Sequence, residues 1–490
     1  MHAIPLLLLL VHLLRPCSAE FTMVMPDSTT LVDAPQTGFS IHARTDPDEQ
    51  RAVYEIMEAT GNSWSSSIPD VCRGRWHGIE CMPDSGDTYH VVSLSFGALS
   101  EDTAFPTCDA APRGGATLSS AVLRLPHLRT LFFYRCLVAD PQPIPAFLGR
   151  LSPTLHSLVL RDNGHIGPIP QELANLTSLQ VLDLHGNRLT ASIPSSFSSL
   201  TNLRLLDLGS NQLAGVIPEL NSPFLSVLDL NRNFLHSQIP DSLSKCQSLI
   251  KIDLSRNRIM GSIPNSLRSL KDLILLDLSH NSLTSGLPCS LGNGFPALQS
   301  LVLKGNDMSS VTIPGDCFTG MSELNTLILS GMGLEGPMPE SMGQMPSIRV
   351  LHLDDNKLNG SIPQNFRGLD KLRELRLEGN RLVGPIPFAR ETMWRMGKKL
   401  RVSNNLGLCF EMDGGGEGLE SMVGISYCDP ESAANKGETK NGTGETKRLS
   451  SWTGGWQTSS FSTGSSASSV ASCFLPALVF AAGVLCAVSL

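Results

Sequence analysis

An α/β solenoid, right-handed, with short parallel strands on its concave face and a disulfide-stapled cap at either end, is the fold this sequence predicts, on three observations. The phrase LxxLxLxxNxLxGxIP returns at a spacing close to two dozen residues, written out in full by Leu179, Leu182, Leu184, Asn187, Leu189, Ile193 and Pro194. Other copies begin at Leu155, Leu203, Leu225, Leu249, Leu273, Leu298, Leu324, Ile348 and Leu372. A period of about 20–29 residues with this leucine spacing marks a leucine-rich repeat. Close cysteine pairs bracket the run, where the open ends of a stacked core need covering. Finally, both chain ends are apolar, which places the repeats in the secretory pathway, where disulfides persist.

The 490 residues would hold several globular domains on length alone, but stacked repeats extend one core without that limit. A net charge of −8 disfavours nucleic acid as a partner. Residues 1–19 read as a signal peptide, with the run Leu6–Leu10 and small residues at Cys17-Ser18-Ala19 before Glu20. Residues 20–43 carry little pattern and read as a mobile segment. Residues 44–96 read as the N-terminal cap and first strand. Asp46-Pro47 opens a helix with Ala52, Val53, Ile56 and Met57 on one face, followed by Trp64, Cys72, Trp76 and Cys81. His90 to Phe96 then alternates as a strand.

Residues 97–153 form an irregular first repeat with an insertion, in which Cys136 stands where the asparagine belongs. Residues 154–399 are the repeats proper. The LxL leucines point inward from each strand, and the residues between them face the concave side. Asparagines 163, 187, 211, 233, 257, 281, 306, 356 and 380 are expected to bond the backbone of adjoining turns. Met332 takes that place once, predicting a weaker ladder there. The Gly-x-Ile-Pro segment turns the chain toward the convex side. Residues 400–428 read as the C-terminal cap and 429–471 as a disordered Ser/Gly-rich stalk. Residues 472–490 form an apolar tail, either a GPI-anchor signal or a single membrane span, leaving no cytoplasmic domain.

Setting aside Cys17, Cys473 and Cys486, nine cysteines remain. Cys72–Cys81 and Cys409–Cys428 are expected to staple the caps. Cys289–Cys317 and Cys108–Cys136 are further candidate bridges, with Cys246 left over as a small core residue. Sequons mark Asn175, Asn359 and Asn441 as glycan acceptors.

Nothing in the chain resembles a catalytic motif. There is no Gly-x-Ser-x-Gly, no nucleotide-binding glycine loop, no kinase segment and no histidine pair at metal-ligand spacing. No enzyme activity, cofactor or metal is expected. The acid pair Asp354-Asp355 reads as a solvated face. The rung surfaces offer better candidates. Asp183, Asp207, Asp229, Asp253 and Asp277 share one column of the LDL strands. Just before the asparagines stand Arg232, Arg256 and His280 on successive rungs, about 4.8 Å apart, with Arg258 nearby. These four either meet acidic groups of a partner on the concave face, or Arg232 and Arg256 pair with Asp229 and Asp253 of their own surface. Phe132 and Tyr134 should face outward beside the core residue Phe133, as contact aromatics or beneath the 97–121 insertion.

The LxGxIP repeat with its W…C…W-x-G-x-x-C cap resembles plant extracellular leucine-rich-repeat receptors. The segments DVCRGRWHGIECMPD, YHVVSLSFGALSEDTAFPTCD, LFFYRC and IPAFLGRL look like those of a plant receptor-like family without a kinase, over about Arg44 to Cys428. Cys289 and Cys317 are additional to that family's pattern, and the tail differs in detail. The resemblance implies a solenoid of the plant extracellular type, held at the outer face of the plasma membrane. It implies a co-receptor for ERECTA-type receptor kinases that modulates responses to secreted cysteine-rich epidermal patterning peptides, and so controls stomatal patterning and asymmetric division. The competing reading is a cell-wall inhibitor of pathogen polygalacturonases, against which the stalk and tail count.

Overall fold

A computed structural model describes residues 43–62, 69–73, 78–97, 108, 115–285, 287, 295–411 and 425–428. The cap begins with the helix Pro47–Ala59. Asp46 caps it by accepting from the amides of Asp48 and Glu49, and its buried face is Glu49, Ala52, Val53, Ile56 and Met57. Strand Ile79–Pro83 runs antiparallel to Thr88–Phe96, and the Cys72–Cys81 disulfide ties the loop before it. Trp64 and Trp76 lie outside the described residues.

From Thr88–Phe96 onward the strands of the main sheet are parallel, fifteen strands being present among the described residues once the cap strands are included. Register is unbroken through the repeats. Leu158, Leu182, Leu206, Leu228, Ile252, Leu276, Leu301, Leu327, Leu351 and Leu375 face one another in order. All ten are at most 1% exposed, so the second leucine of LxxLxL is the continuous spine of the core. Each repeat then folds away through its Ile-Pro. Pro170, Pro194, Pro240 and Pro264 immediately precede the one-turn 3-10 segments Gln171–Asn175, Ser195–Ser199, Asp241–Lys245 and Asn265–Ser269. The fixed φ of proline sets the entry to each such turn.

The asparagines make the ladder expected of them. Asn233 donates through Nδ2 to the carbonyls of Leu208 and Leu230, and its Oδ1 accepts from the Leu213 amide of the preceding rung. Asn405 adds a further member, accepting from Leu382. At Met332 the expected weakness is repaired. The Met308 amide donates instead to the Met332 carbonyl at 2.8 Å, while Asn306 and Asn356 cover the carbonyls of Leu303 and Leu329.

A second set of strands was not anticipated from the sequence. Ala214–Gly215, Phe234–Ser237, Arg258–Ser262 and Ser282–Ser285 pair in parallel beside the main sheet, and Glu335–Pro337, Lys357–Gly360, Arg381–Pro385 and Gly407–Cys409 do the same further on. The Nx(L/I)xG stretch is therefore strand, and the turn toward the convex side comes after it.

Disulfides join Cys108 to Cys136 and Cys409 to Cys428. Cys317 is also disulfide-bonded, while Cys289 lies outside the described residues. Cys246 is a buried free thiol, and burial pushes it up to about 11. Among the described residues no helix is long and apolar enough to cross a membrane. The segments 1–19 and 429–490 lie outside them.

Candidate functional site

Between its two inward apolar residues each rung carries one outward residue, and the sheet register stacks these into a column on the concave face. In order they are Phe132, Val159, Asp183, Asp207, Asp229, Asp253, Asp277, Val302, Ile328, His352, Arg376 and Arg401. The column is apolar at its start, acidic over five rungs, apolar again over two, and basic at its end. Each aspartate has a local reason to be there. Its Oδ1 accepts from the amide two residues on (His185, Gly209, Asn231, Ser255 and Ser279 in turn), which turns the chain out of the strand.

Five carboxylates about 4.8 Å apart repel one another, and the chain compensates unevenly. Arg161 donates from one nitrogen to Asp183 at 2.6 Å and to Asp207 at 3.0 Å, bridging two rungs. His185 lies 3.0 Å from the other oxygen of Asp207, and Lys251 lies 2.8 Å from Asp229. Asp253 and Asp277 have the hydroxyls of Ser255 and Ser279 in place of a bridging cation. Their titration follows. Burial, and then the Asp253 carboxylate, push Asp277 up to about 7. Burial and Asp207 push Asp183 up to about 6. For Asp207 burial acts upward too, but the His185 hydrogen bond and the charges of His185 and Arg161 outweigh it and hold the group at about 2.

A raised carboxyl pKa means that the folded chain binds the proton more tightly than the unfolded one. The stability contributed by Asp277 is then complete below about pH 4 and is lost as pH rises through about 7. Asp277→Asn keeps the acceptor for Ser279 and removes the charge. Its unfolding free energy from urea titration should exceed that of the parent by an amount that grows between pH 4 and pH 7 and then levels off, on the order of 4 kcal/mol. A constant difference across that range would contradict the assignment.

The residues singled out in the sequence fall in three places. Phe132 and Tyr134 do point away from the core, but they are only 4% and 8% exposed and form a small cluster with Val159 and Val181. The Arg135 guanidinium also sits 5.1 Å from the Tyr134 ring centroid. They are packing residues of the first rungs rather than exposed contact aromatics. Arg232, Arg256 and His280 are exposed. Each has a left-handed backbone, with φ of 52°, 56° and 53°, at the turn after its strand. Neither Arg232 nor Arg256 pairs with Asp229 or Asp253; Lys251 takes the first, and Ser255 the second. Burial, then the charges of Arg256 and Lys304, hold the His280 imidazole below its ordinary value, so these groups share one basic edge. Arg258 lies on the second sheet, its guanidinium 4.7 Å from the ring centroid of Phe234.

That ring is one of several exposed apolar side chains there. Phe234 is 44% exposed, Met260 49% and Val216 53%. Asn175 is exposed on a 3-10 turn and Asn359 on the second sheet, and Asn441 lies outside the described residues. Half of the acid pair is structural, since Asp354 is buried and accepts the Ser330 hydroxyl at 2.6 Å. Arg161 and Lys251 escaped the sequence reading. Aligning the repeats would have shown Arg161 two positions beyond the aspartate column and one rung before it.

A leucine-rich-repeat family model matches residues 153–213, 223–283 and 336–382. Over 434 residues the chain is 56% identical to Protein TOO MANY MOUTHS of Arabidopsis thaliana, covering 87% of both chains. Receptor like protein 29 of the same plant is 33% identical over 155 residues, 30% of this chain and 32% of that one. Among solved structures, the Arabidopsis receptor kinase HAESA, in complex with the peptide hormone IDA and the co-receptor SERK1, superposes with a TM-score of 0.55 at 29% identity. That match covers 63% of this chain and 50% of that one. PEPR1 with AtPEP1 gives a TM-score of 0.56 at 28% identity, over 74% and 52% of the two chains. The present chain spans about half the length of these two solved chains. On the strength of the first relative, the chain belongs to the plant leucine-rich-repeat receptor-like proteins, in the family of TOO MANY MOUTHS.

Proposed function

We propose that this protein is a kinase-less cell-surface co-receptor. It would act with ERECTA-type receptor kinases to modulate the perception of secreted cysteine-rich epidermal patterning peptides, and so control stomatal patterning and asymmetric division. The observation that carries the reading is the 56% identity to TOO MANY MOUTHS over 87% of both chains. Solved relatives bound to peptide hormones, one of them together with a co-receptor, support a peptide and a kinase ectodomain as partners. In this reading residues 472–490 hold the chain at the outer face of the plasma membrane, through a lipid anchor or a single span.

The geometry supports a division of labour between two faces. The concave column, in which Asp253 and Asp277 have serine hydroxyls rather than a cation in hydrogen-bonding contact, takes a basic segment of the peptide. The second sheet and its neighbouring edge dock sideways on the kinase ectodomain. Phe234, Arg258 and Met260 offer the mixture of aromatic, guanidinium and apolar surface on which binding energy concentrates. Arg232, Arg256 and His280 support the edge as a contact. A left-handed backbone costs a branched or long side chain about 1 kcal/mol relative to glycine, and these three occupy it while exposed. Equivalent turns use glycine at 186, 305, 331 and 379 and other residues at 135, 162, 210, 355 and 404, so the basic character of these three, rather than the turn itself, sets this edge apart.

The test is binding of purified residues 20–428 to an ERECTA-type ectodomain, with and without an epidermal patterning peptide. Association that sharpens peptide affinity is expected. Phe234→Ala and Arg258→Glu should weaken association with the kinase ectodomain at least about tenfold while leaving the melting temperature unchanged. Failure of the folded protein to bind either partner would overturn the proposal and favour inhibition of polygalacturonases.

A further inference from the structure

The apolar face of the cap helix contains one residue that does not belong with the rest. Glu49 lies in register with Ala52, Val53, Ile56 and Met57, yet it is a carboxylate only 2% exposed. A buried carboxylate needs partners that fix both oxygens. Oε2 accepts from the Val91 amide at 2.7 Å, and Oε1 lies 2.6 Å from Nδ1 of His90. The His90 ring in turn packs against the ring of His127, with centroids 4.2 Å apart and planes tilted by 49°. His127 is exposed and makes no hydrogen bond or ion pair among the described residues. One donor atom from each of Glu49, His90 and His127 falls within 4.8 Å of the others.

We propose that Glu49, His90 and His127 form a binding site for a divalent transition metal of the zinc class. Two imidazoles and a carboxylate are a donor set zinc accepts. Donor atoms around a tetrahedral zinc stand about 3.3 Å apart, given bonds of about 2.0–2.2 Å. The Glu49–His90 contact opens by less than an ångström to reach that spacing, and a rotation of the exposed His127 ring supplies the third bond. A fourth position faces solvent on the His127 side.

The surroundings are those that metal-binding histidines and carboxylates require. A ligating imidazole is held by a carboxylate on its other nitrogen. The other nitrogen of His90, Nε2, faces Oδ2 of Asp84 at 3.6 Å. Asp84 is itself fixed, its Oδ1 accepting from the amides of Gly86 and Thr88 at 2.8 Å each. The Val91 amide holds Glu49 in the same way, leaving Oε1 turned toward the two rings. The three ligands come from the cap helix, the first long strand and the entry to the next rung, so the ion bolts together three segments far apart in the sequence.

The experiment is calorimetric titration of the purified full chain, stripped with chelator, with zinc chloride and with magnesium chloride as control. Thermal unfolding is followed in parallel. We expect one zinc per chain at micromolar affinity or tighter, a raised unfolding midpoint, and no response to magnesium. His127→Ala removes an exposed side chain and should leave the midpoint in chelator unchanged while weakening zinc at least about tenfold. Asp84→Asn should weaken zinc by about tenfold or more without removing a ligand. The absence of saturable binding in the parent chain, or binding undiminished in both His127→Ala and His90→Gln, would overturn the proposal and leave an ion pair with a ring stacked on it.

Discussion

Replacing Arg161 by methionine should lower the stability of the solenoid by about 3 kcal/mol at pH 7.5, and the loss should shrink as the pH falls to 5. The guanidinium bridges Asp183 and Asp207 one rung apart, and its own pKa is raised because those two charges outweigh its burial. Methionine keeps the apolar stem but leaves two partly buried carboxylates facing each other. Removing one partner of such a group costs more than the group contributes when intact, because the remaining charge is desolvated without compensation. Asp183 already binds its proton near pH 6, so acid neutralises it and restores part of the loss, while Asp207 keeps His185. Urea unfolding of parent and variant at pH 5, 6 and 7.5 checks this. A loss independent of pH would mean that packing, not charge, makes the contribution. Arg161→Lys, which retains charge without the fork, should fall between the two.

Asn257→Ala should cost about 3 kcal/mol, and the cost should concentrate on one rung. The amide donates to the Leu230 carbonyl at 2.9 Å and the Leu254 carbonyl at 3.1 Å, and accepts from the Leu235 amide at 3.0 Å. Leu235 is fully buried, so its N–H would be stranded where no water can reach it. Hydrogen exchange at Leu235 should accelerate well beyond the global change, since solenoid stability is a sum over neighbouring repeats. Met332→Asn is the matching control and should change stability by no more than about 0.5 kcal/mol, because the Met308 amide already donates to the Met332 carbonyl. An equal and opposite effect at the two positions would mean that every ladder site is equivalent.

The repeat, the inward leucines and the asparagine ladder were all legible in the sequence because each is a local rule repeated every rung. Partners that cross rungs were not. Arg161 meets Asp183 and Asp207 through separations of 22 and 46 residues, which only the sheet register reveals. Lys251 reaches back to Asp229 in the same way, displacing the anticipated pairing with Arg232. Alternation along a strand showed correctly that Phe132 and Tyr134 point away from the core. It could not show that the valines of the next two rungs would close over them. The second sheet was hidden for a different reason. Its strands run from two to five residues, too short to show a period, and exist because the turn asparagines align their neighbours. The basic column at Arg232, Arg256 and His280 was legible, but not the left-handed turn on which each of the three sits.

Cys246 carries a consequence for biogenesis. It is the one thiol among the described residues without a partner, in a chain whose other described cysteines are joined, and sulfur exchange proceeds through the thiolate. With its pKa near 11, the folded protein at pH 7 presents a thiolate only about once in ten thousand molecules. Before its rung closes, the same sulfur has an ordinary acidity and competes for every bond then forming. Closure of that rung thus acts as an editing step, withdrawing the odd sulfur and sealing the pairing pattern by packing rather than by any oxidant.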